Sequence, residues 1–114
     1  MKARGKKAKG SRFERNIAGL YRKHGFKGTT RMPGSGAFET LKGDIRFPFH
    51  VPFRVECKND EKISIWKGWR QARSQASEHE EPVLFMKRNF GPELGIVSAE
   101  YLIRLQAIAQ DKEA

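Results

Sequence analysis

The spacing of apolar residues along the chain predicts three amphipathic helices. Between residues 11 and 24, apolar side chains beginning with Phe13 and Ile17 recur three and four positions apart, which places them on one helical face. Similar spacing predicts a second helix over 65–78 and a closing helix over 98–109. We expect the second helix to bury Trp66, Trp69, Ala72 and Ala76, and the closing helix to bury Tyr101, Leu102, Leu105 and Ile108.

Ser11 and Glu14 have the spacing of a capping box at the start of the first helix. In a capping box, each of the two side chains accepts a hydrogen bond from a backbone N–H group that has no partner inside the helix. The sequence therefore predicts that the helix starts at Ser11, and helix capping is one alternative for the role of Glu14.

Alternating apolar and polar residues, bounded by glycine and proline, predict several short strands. In the strand over 52–58, one face is apolar and the other holds Glu56 and Lys58. We expect this strand to form a hairpin with the strand before it, turning near His50. The predicted strands are 26–31, 43–49, 52–58, 83–86 and 94–97, with a glycine-rich loop over 32–42.

The order of these elements predicts an α/β fold with a central mixed β-sheet flanked by helices. A chain of 114 residues fits one compact domain. We expect a flexible basic arm over 1–10, a single domain over 11–110 and a tail over 111–114.

Positive charge is concentrated at the start of the chain. The protein has 23 Lys plus Arg against 13 Asp plus Glu, a net charge of +10. An excess of one sign favours binding to the phosphates of DNA, and simple solubility is the alternative. The basic residues of the first twelve positions, which include no acidic residue, are Lys2, Arg4, Lys6, Lys7, Lys9 and Arg12.

The single cysteine, Cys57, excludes an internal disulfide framework and a multi-cysteine zinc site. It is typical of a reducing compartment, so we expect an intracellular, cytoplasmic protein. No apolar run approaches the roughly 20 residues that span a bilayer, so we expect no membrane association.

Two carboxylates and an amine are expected at one end of the predicted sheet. Asp44 begins one strand, while Glu56 and Lys58 end the next. Carboxylate oxygens bind Mg²⁺, and a nearby ammonium can stabilise negative charge that develops on phosphate. The alternatives are a surface ion pair for Glu56 and Lys58, and a turn residue for Asp44.

In these residues the sequence resembles the PD-(D/E)xK nuclease superfamily, and within it the small Holliday junction resolvases of archaeal and phage type. The resemblance covers roughly residues 10–87 and implies a restriction-endonuclease-like core. The matching segments are Gly10-Ser-Arg-Phe-Glu-Arg15, Arg31 with Gly34-Ser-Gly36, Gly43-Asp44 and Val55-Glu-Cys-Lys58. Gly43 departs from the pattern, because the superfamily has proline there.

The resemblance implies roles for individual residues. Asp44 and Glu56 would bind the metal together with the carbonyl of Cys57, Lys58 would be the catalytic lysine, and Glu14 would approach from the first helix. Positions associated with catalysis or DNA backbone contact are Arg15, Arg31 and Ser35, and either Gln71 or Gln75 matches a glutamine of the helix after the lysine. Lys6, Lys7, Lys9 and Arg12 would add phosphate contacts from the arm.

We therefore expect a Mg²⁺-dependent endonuclease, with Mn²⁺ able to substitute, that acts on four-way DNA junctions as a homodimer. A restriction-like or repair nuclease of the same fold is one alternative. A basic nucleic-acid-binding protein without catalytic activity is another.

Overall fold

The computed structural model describes residues 2–33, 43–62 and 64–113. For residues 2–7 and 113 it describes the backbone only, and for the others it describes the side chains as well. It confirms the predicted α/β class. In chain order the elements are α1 (Lys2–Lys23), β1 (Thr30–Arg31), β2 (Ile45–Arg46), β3 (Phe53–Asn59), α2 (Ile65–Gln75), β4 (Glu81–Lys87), β5 (Leu94–Ile96) and α3 (Ala99–Glu113).

The main sheet is mixed and has the order β3-β4-β5. β3 and β4 are parallel, with Lys58 beside Met86, and β5 pairs antiparallel with β4. Parallel neighbours need a crossover connection, which α2 supplies between β3 and β4. A second, two-stranded sheet joins β1 and β2.

The core lies between α1 and the main sheet. Phe13 and Ile17 of α1 are fully buried against Val55 of β3 and Val83 of β4. A smaller cluster on α2 packs Ala72 against Leu84. These contacts hold α1 against β3, so the helix that carries Glu14 lies next to the strand that carries Glu56.

The predicted start of the first helix at Ser11 is wrong, because α1 already begins at Lys2. Alanine, lysine and arginine are strong helix formers and continue the helix toward the N-terminus. Ser11 therefore lies inside the helix, and neither it nor Glu14 caps a terminus. The backbone of most of the proposed arm is helical, and the division into arm, domain and tail stays a prediction.

The predicted hairpin near His50 is also wrong, since β2 pairs with β1 instead of β3. Pro48 and Pro52 flank the expected turn and have no backbone N–H to donate to a ladder. One backbone hydrogen bond still links the two segments, from the N–H of Asp44 to the carbonyl of Val55 at 2.8 Å.

Two predicted apolar faces are less buried than expected. Trp66 is 71% exposed, because the face of α2 against the sheet is formed by the small residues Gly68 and Ala72, with Trp69 half-buried beside them. On α3, Tyr101 packs against the core, whereas Leu102, Leu105 and Ile108 are exposed. Across the described ranges, no helix is both long and apolar enough to span a membrane.

Candidate active site

Asp44 is held at the start of β2 by a close approach of the backbone to β3. Its backbone carbonyl accepts from the N–H of Met32, and its side-chain Oδ2 accepts from the N–H of Cys57, both at 2.8 Å. Gly43 makes this approach possible, with φ at 85° and no room for a side chain beside Val55. The Asp44 carboxylate is therefore fixed against the middle of β3.

The same position explains the departure from the superfamily pattern. A Cβ atom on Gly43 would lie 2.9 Å from the carbonyl oxygen of Val55. Proline fixes φ near −65°, so it could not adopt the positive φ found here. Glycine can adopt this positive φ, and the carboxylate of the adjacent Asp44 lies against β3.

Glu56 is a buried carboxyl group in the middle of β3, with only 4% of its surface exposed. Burial, then the charge of Asp44 and a hydrogen bond with its side chain, raise the pKa of Glu56 to about 8. Lys58 acts in the opposite direction. The two carboxyl groups therefore lie close enough to share a proton.

Glu14 adds a third carboxylate, from the middle of α1. Its Oε1 accepts a hydrogen bond from Nε of Arg31 in an ion pair of 3.0 Å. Burial and the charge of Asp44 raise the pKa of Glu14, whereas Arg31 opposes that rise. The structure thus brings together Glu14, Arg31, Asp44 and Glu56.

Lys58 lies two residues after Glu56, on the same side of β3, and borders a cavity of about 180 Å³. Gln71 of α2 lines this cavity too, whereas Gln75 does not. The structure therefore selects Gln71 as the glutamine near Lys58.

Sequence analysis did not identify two further residues of this cavity, Lys62 and Lys67. Their signal in the sequence is a cluster of lysines around the N-terminus of α2. No ion pair involving either lysine occurs within the described part of the chain.

Cys57 turns its side chain into the core, opposite to the carboxylates. Burial, followed by the charge of Asp44, raises the pKa of its thiol, so the thiol stays protonated near neutral pH. Only the backbone of Cys57 reaches the site, where its N–H donates to Asp44.

The other residues predicted to contact DNA lie elsewhere on α1 or outside the residues that the structure describes. Arg12 and Arg15 are exposed on α1, and Lys9 is half-buried. Lys6 and Lys7 belong to the helical backbone of α1, and their side chains fall outside the described set. Ser35 lies outside the described residues.

No group of three or more His, Cys, Asp or Glu side chains among the described residues is arranged to hold a metal ion. In this structure Glu14 is paired with Arg31, and one oxygen of Asp44 accepts from the N–H of Cys57. The donor chemistry nevertheless fits a divalent cation. A proton between Asp44 and Glu56 relieves the same repulsion that a hard cation would relieve.

Comparison with known proteins identifies a family for this chain. Residues 5–112 match the family model described as "Phage putative PDDEXK endonuclease". No curated protein and no solved structure matches the chain. Because the family match covers nearly the whole sequence, this chain belongs to the phage PDDEXK endonuclease family.

Proposed function

We propose that the protein is a structure-selective DNA endonuclease, acting as a Holliday junction resolvase, that hydrolyses phosphodiester bonds with Mg²⁺. The observation that carries this proposal is the convergence of Glu14, Asp44 and Glu56 beside Lys58. Three carboxyl groups from three separate segments repel one another when they are ionised, and the charge of Asp44 raises the pKa of both Glu14 and Glu56. A cation bound by the carboxylates would offset this repulsion.

Asp44 and Glu56 are the residues that would hold Mg²⁺, and Mn²⁺ could replace it. When bound, the ion would neutralise phosphate charge and lower the pKa of water. Lys58 would donate a hydrogen bond to a phosphate oxygen and stabilise the negative charge that develops during cleavage. Arg31 pairs with Glu14 and opposes its protonation.

The charge of the chain supports DNA as the substrate. The net charge is +10, and Arg12 and Arg15 are exposed on α1, the helix that carries Glu14. Paired incisions in a four-way junction require two sites related by symmetry, so the proposal includes a two-fold homodimer. Sedimentation of the protein alone and with a junction would measure that state.

The decisive experiment compares the wild type with Asp44→Asn on a synthetic four-way junction and on a linear duplex of the same sequences, each with Mg²⁺ and with EDTA. We expect junction cleavage by the wild type with Mg²⁺ only. Equal cutting of both substrates would leave a restriction-like or repair nuclease. Salt-dependent binding without cleavage would instead show a nucleic-acid-binding protein.

A further inference from the structure

The turn between β4 and β5 carries an aromatic side chain, Phe90, that does not pack against the fold. Phe90 is fully exposed to solvent. Its backbone φ is 61°, and it is the one residue other than glycine with positive φ in the described ranges. Left-handed backbone is unfavourable for a bulky side chain, and glycine or asparagine is the usual choice there. The turn therefore carries a strained backbone and an exposed ring that no side chain within the described ranges buries.

The ring does not fill the apolar cavity beside it. A cavity of about 380 Å³ lies under this turn and is lined in part by Arg88, Gly91 and Leu94. Phe90 is not part of that lining, although Arg88 before it and Gly91 after it are. Phe90 therefore does not stabilise the fold by filling this cavity.

The turn extends from the sheet edge at which Lys58 is located. Lys58 pairs with Met86, and β4 ends one residue later at Lys87. The distance from Lys58 to Phe90 is therefore at most about 20 Å along the extended backbone. This corresponds to about six nucleotides along one strand of DNA, so one substrate can reach both places.

A hydrogen bond ties the turn to the segment that follows Lys58. Oε1 of Glu61 accepts from the backbone N–H of Asn89 at 2.6 Å. Because Asn89 directly precedes Phe90, this bond fixes the base of the turn relative to the β3–α2 connection.

The charges around the ring favour a polyanion over a protein partner. Lys87 and Arg88 precede Phe90 by three and two residues, and neither forms an ion pair with any described residue. Glu93 is the acidic residue of the turn, and Glu61, which accepts from Asn89, is followed directly by the cationic Lys62. Aromatic rings beside unpaired cations are the usual arrangement for stacking on nucleic-acid bases.

We propose that Phe90 stacks on an unstacked base at the branch point of the DNA bound in the site. This inference rests on the proposed nuclease function. Unstacking a base within a continuous duplex costs free energy, and the cost is lowest where pairing or stacking is already interrupted. The contact would therefore favour branched DNA over linear duplex.

The test uses Phe90→Gly, which removes both the ring and the backbone strain, and Phe90→Trp, which keeps an aromatic ring. Binding to a four-way junction and to a matched linear duplex is measured in EDTA, together with the melting temperature. We expect Phe90→Gly to weaken junction binding about tenfold or more, as for loss of one stacked base, and to leave duplex binding unchanged. Phe90→Trp should bind like the wild type.

The melting temperature separates this role from a structural one. Phe90→Gly should melt at or above the wild-type temperature, and a lower value would show that the ring packs in the protein and would overturn the proposal. Equal loss on both substrates, or no loss, would overturn it as well. The control Ile103→Ala removes an exposed apolar side chain of α3 and should change neither affinity. Because binding is measured without cleavage, failure of the nuclease proposal would be seen separately.

Discussion

The carboxylate of Asp44 accepts a hydrogen bond of 2.8 Å from the backbone N–H of Cys57, so one candidate metal ligand is fastened to the strand that carries the other. Asp44 thus has two roles, a bond to the backbone and a charge beside Glu56. Asparagine can fulfil the first role without the second. Alanine can fulfil neither.

We expect Asp44→Asn to abolish Mg²⁺-dependent cleavage while the fold and DNA binding are kept, because its amide oxygen can still accept from Cys57. Asp44→Ala should also be inactive, but it leaves a buried N–H without a partner and should lower stability by about 1–3 kcal/mol. Cleavage assays and urea unfolding of both variants check this. Equal stability of the two variants would contradict the role assigned to the hydrogen bond.

The buried Glu56 predicts a pH dependence of stability. Its pKa is raised from 4.5 to about 8 in the folded chain, so between these pH values the folded protein holds a proton that the unfolded chain has released. Stability should therefore fall as pH rises from about 4.5 to 8. Glu56→Gln should remove this part of the slope, as measured by urea unfolding without divalent ions at pH 5 and pH 8.5. Glu100→Gln, on exposed α3, is the control and should follow the wild type.

The ion pair between Arg31 and Glu14 predicts an effect on activity that exceeds its effect on stability. Arg31 is 34% exposed, so its loss should cost under about 1 kcal/mol of folding free energy. Arg31→Gln removes the cation that opposes protonation of Glu14, so activity should decrease and its pH profile should move to higher pH. Arg104→Gln, which breaks the surface pair with Glu81, should leave the profile unchanged. An unshifted profile for Arg31→Gln would remove Glu14 from the mechanism.

Gly43 predicts an unusually large penalty for a small substitution. Gly43→Ala would place a Cβ atom 2.8 Å from the Arg54 side chain and 2.9 Å from the Val55 carbonyl oxygen, at a positive φ. We expect a loss of about 1–3 kcal/mol and reduced cleavage, because Asp44 must shift with its neighbour. The matched control is Gly10→Ala in α1, where nothing lies within 4 Å and helix propensity should increase stability. Thermal unfolding of both variants decides the comparison.

The basic face of α1 predicts the salt dependence of DNA binding. Each phosphate contact contributes about 0.9 to the slope of log affinity against log salt on duplex DNA. Replacing Lys9 and Arg12 together by alanine should therefore reduce the slope by about 1.8. A double replacement of Lys27 and Lys112, which are exposed outside α1, should change it less. Equal effects of the two double variants would mean that the charge acts without a defined contact.

Local sequence patterns were sufficient for the elements that carry the site. The alternation through Val55 and Cys57 placed Glu56 and Lys58 on one face of β3, and helical spacing located α2 close to its observed bounds. These patterns work because side-chain direction is set within a few residues. The proximity of Asp44 to Glu56 was predicted from strand order, although the expected hairpin did not form.

The sequence could not reveal the features that depend on tertiary contacts. Pairing of β2 with β1 joins two segments that are separated by residues 32–44 in the sequence, and no local pattern encodes that choice. The exposure of Trp66 follows from how closely β4 approaches Gly68, which helical spacing alone cannot tell. Likewise, the spacing of Ser11 and Glu14 predicts a capping box, whereas α1 begins at Lys2 and both residues lie inside it.

The parallel pairing of β3 with β4 also determines how much of the chain must be synthesised before the protein can act. β3 gains its central hydrogen-bonding partner only after α2 and residues 81–87 have been added. During translation, a nascent chain that still lacks β4 has no neighbouring strand for β3 in the main sheet, so we expect Glu56 and Lys58 not to lie on an ordered strand. A product truncated before Lys87 would consequently lack an assembled site, whatever acidic and basic residues it retains.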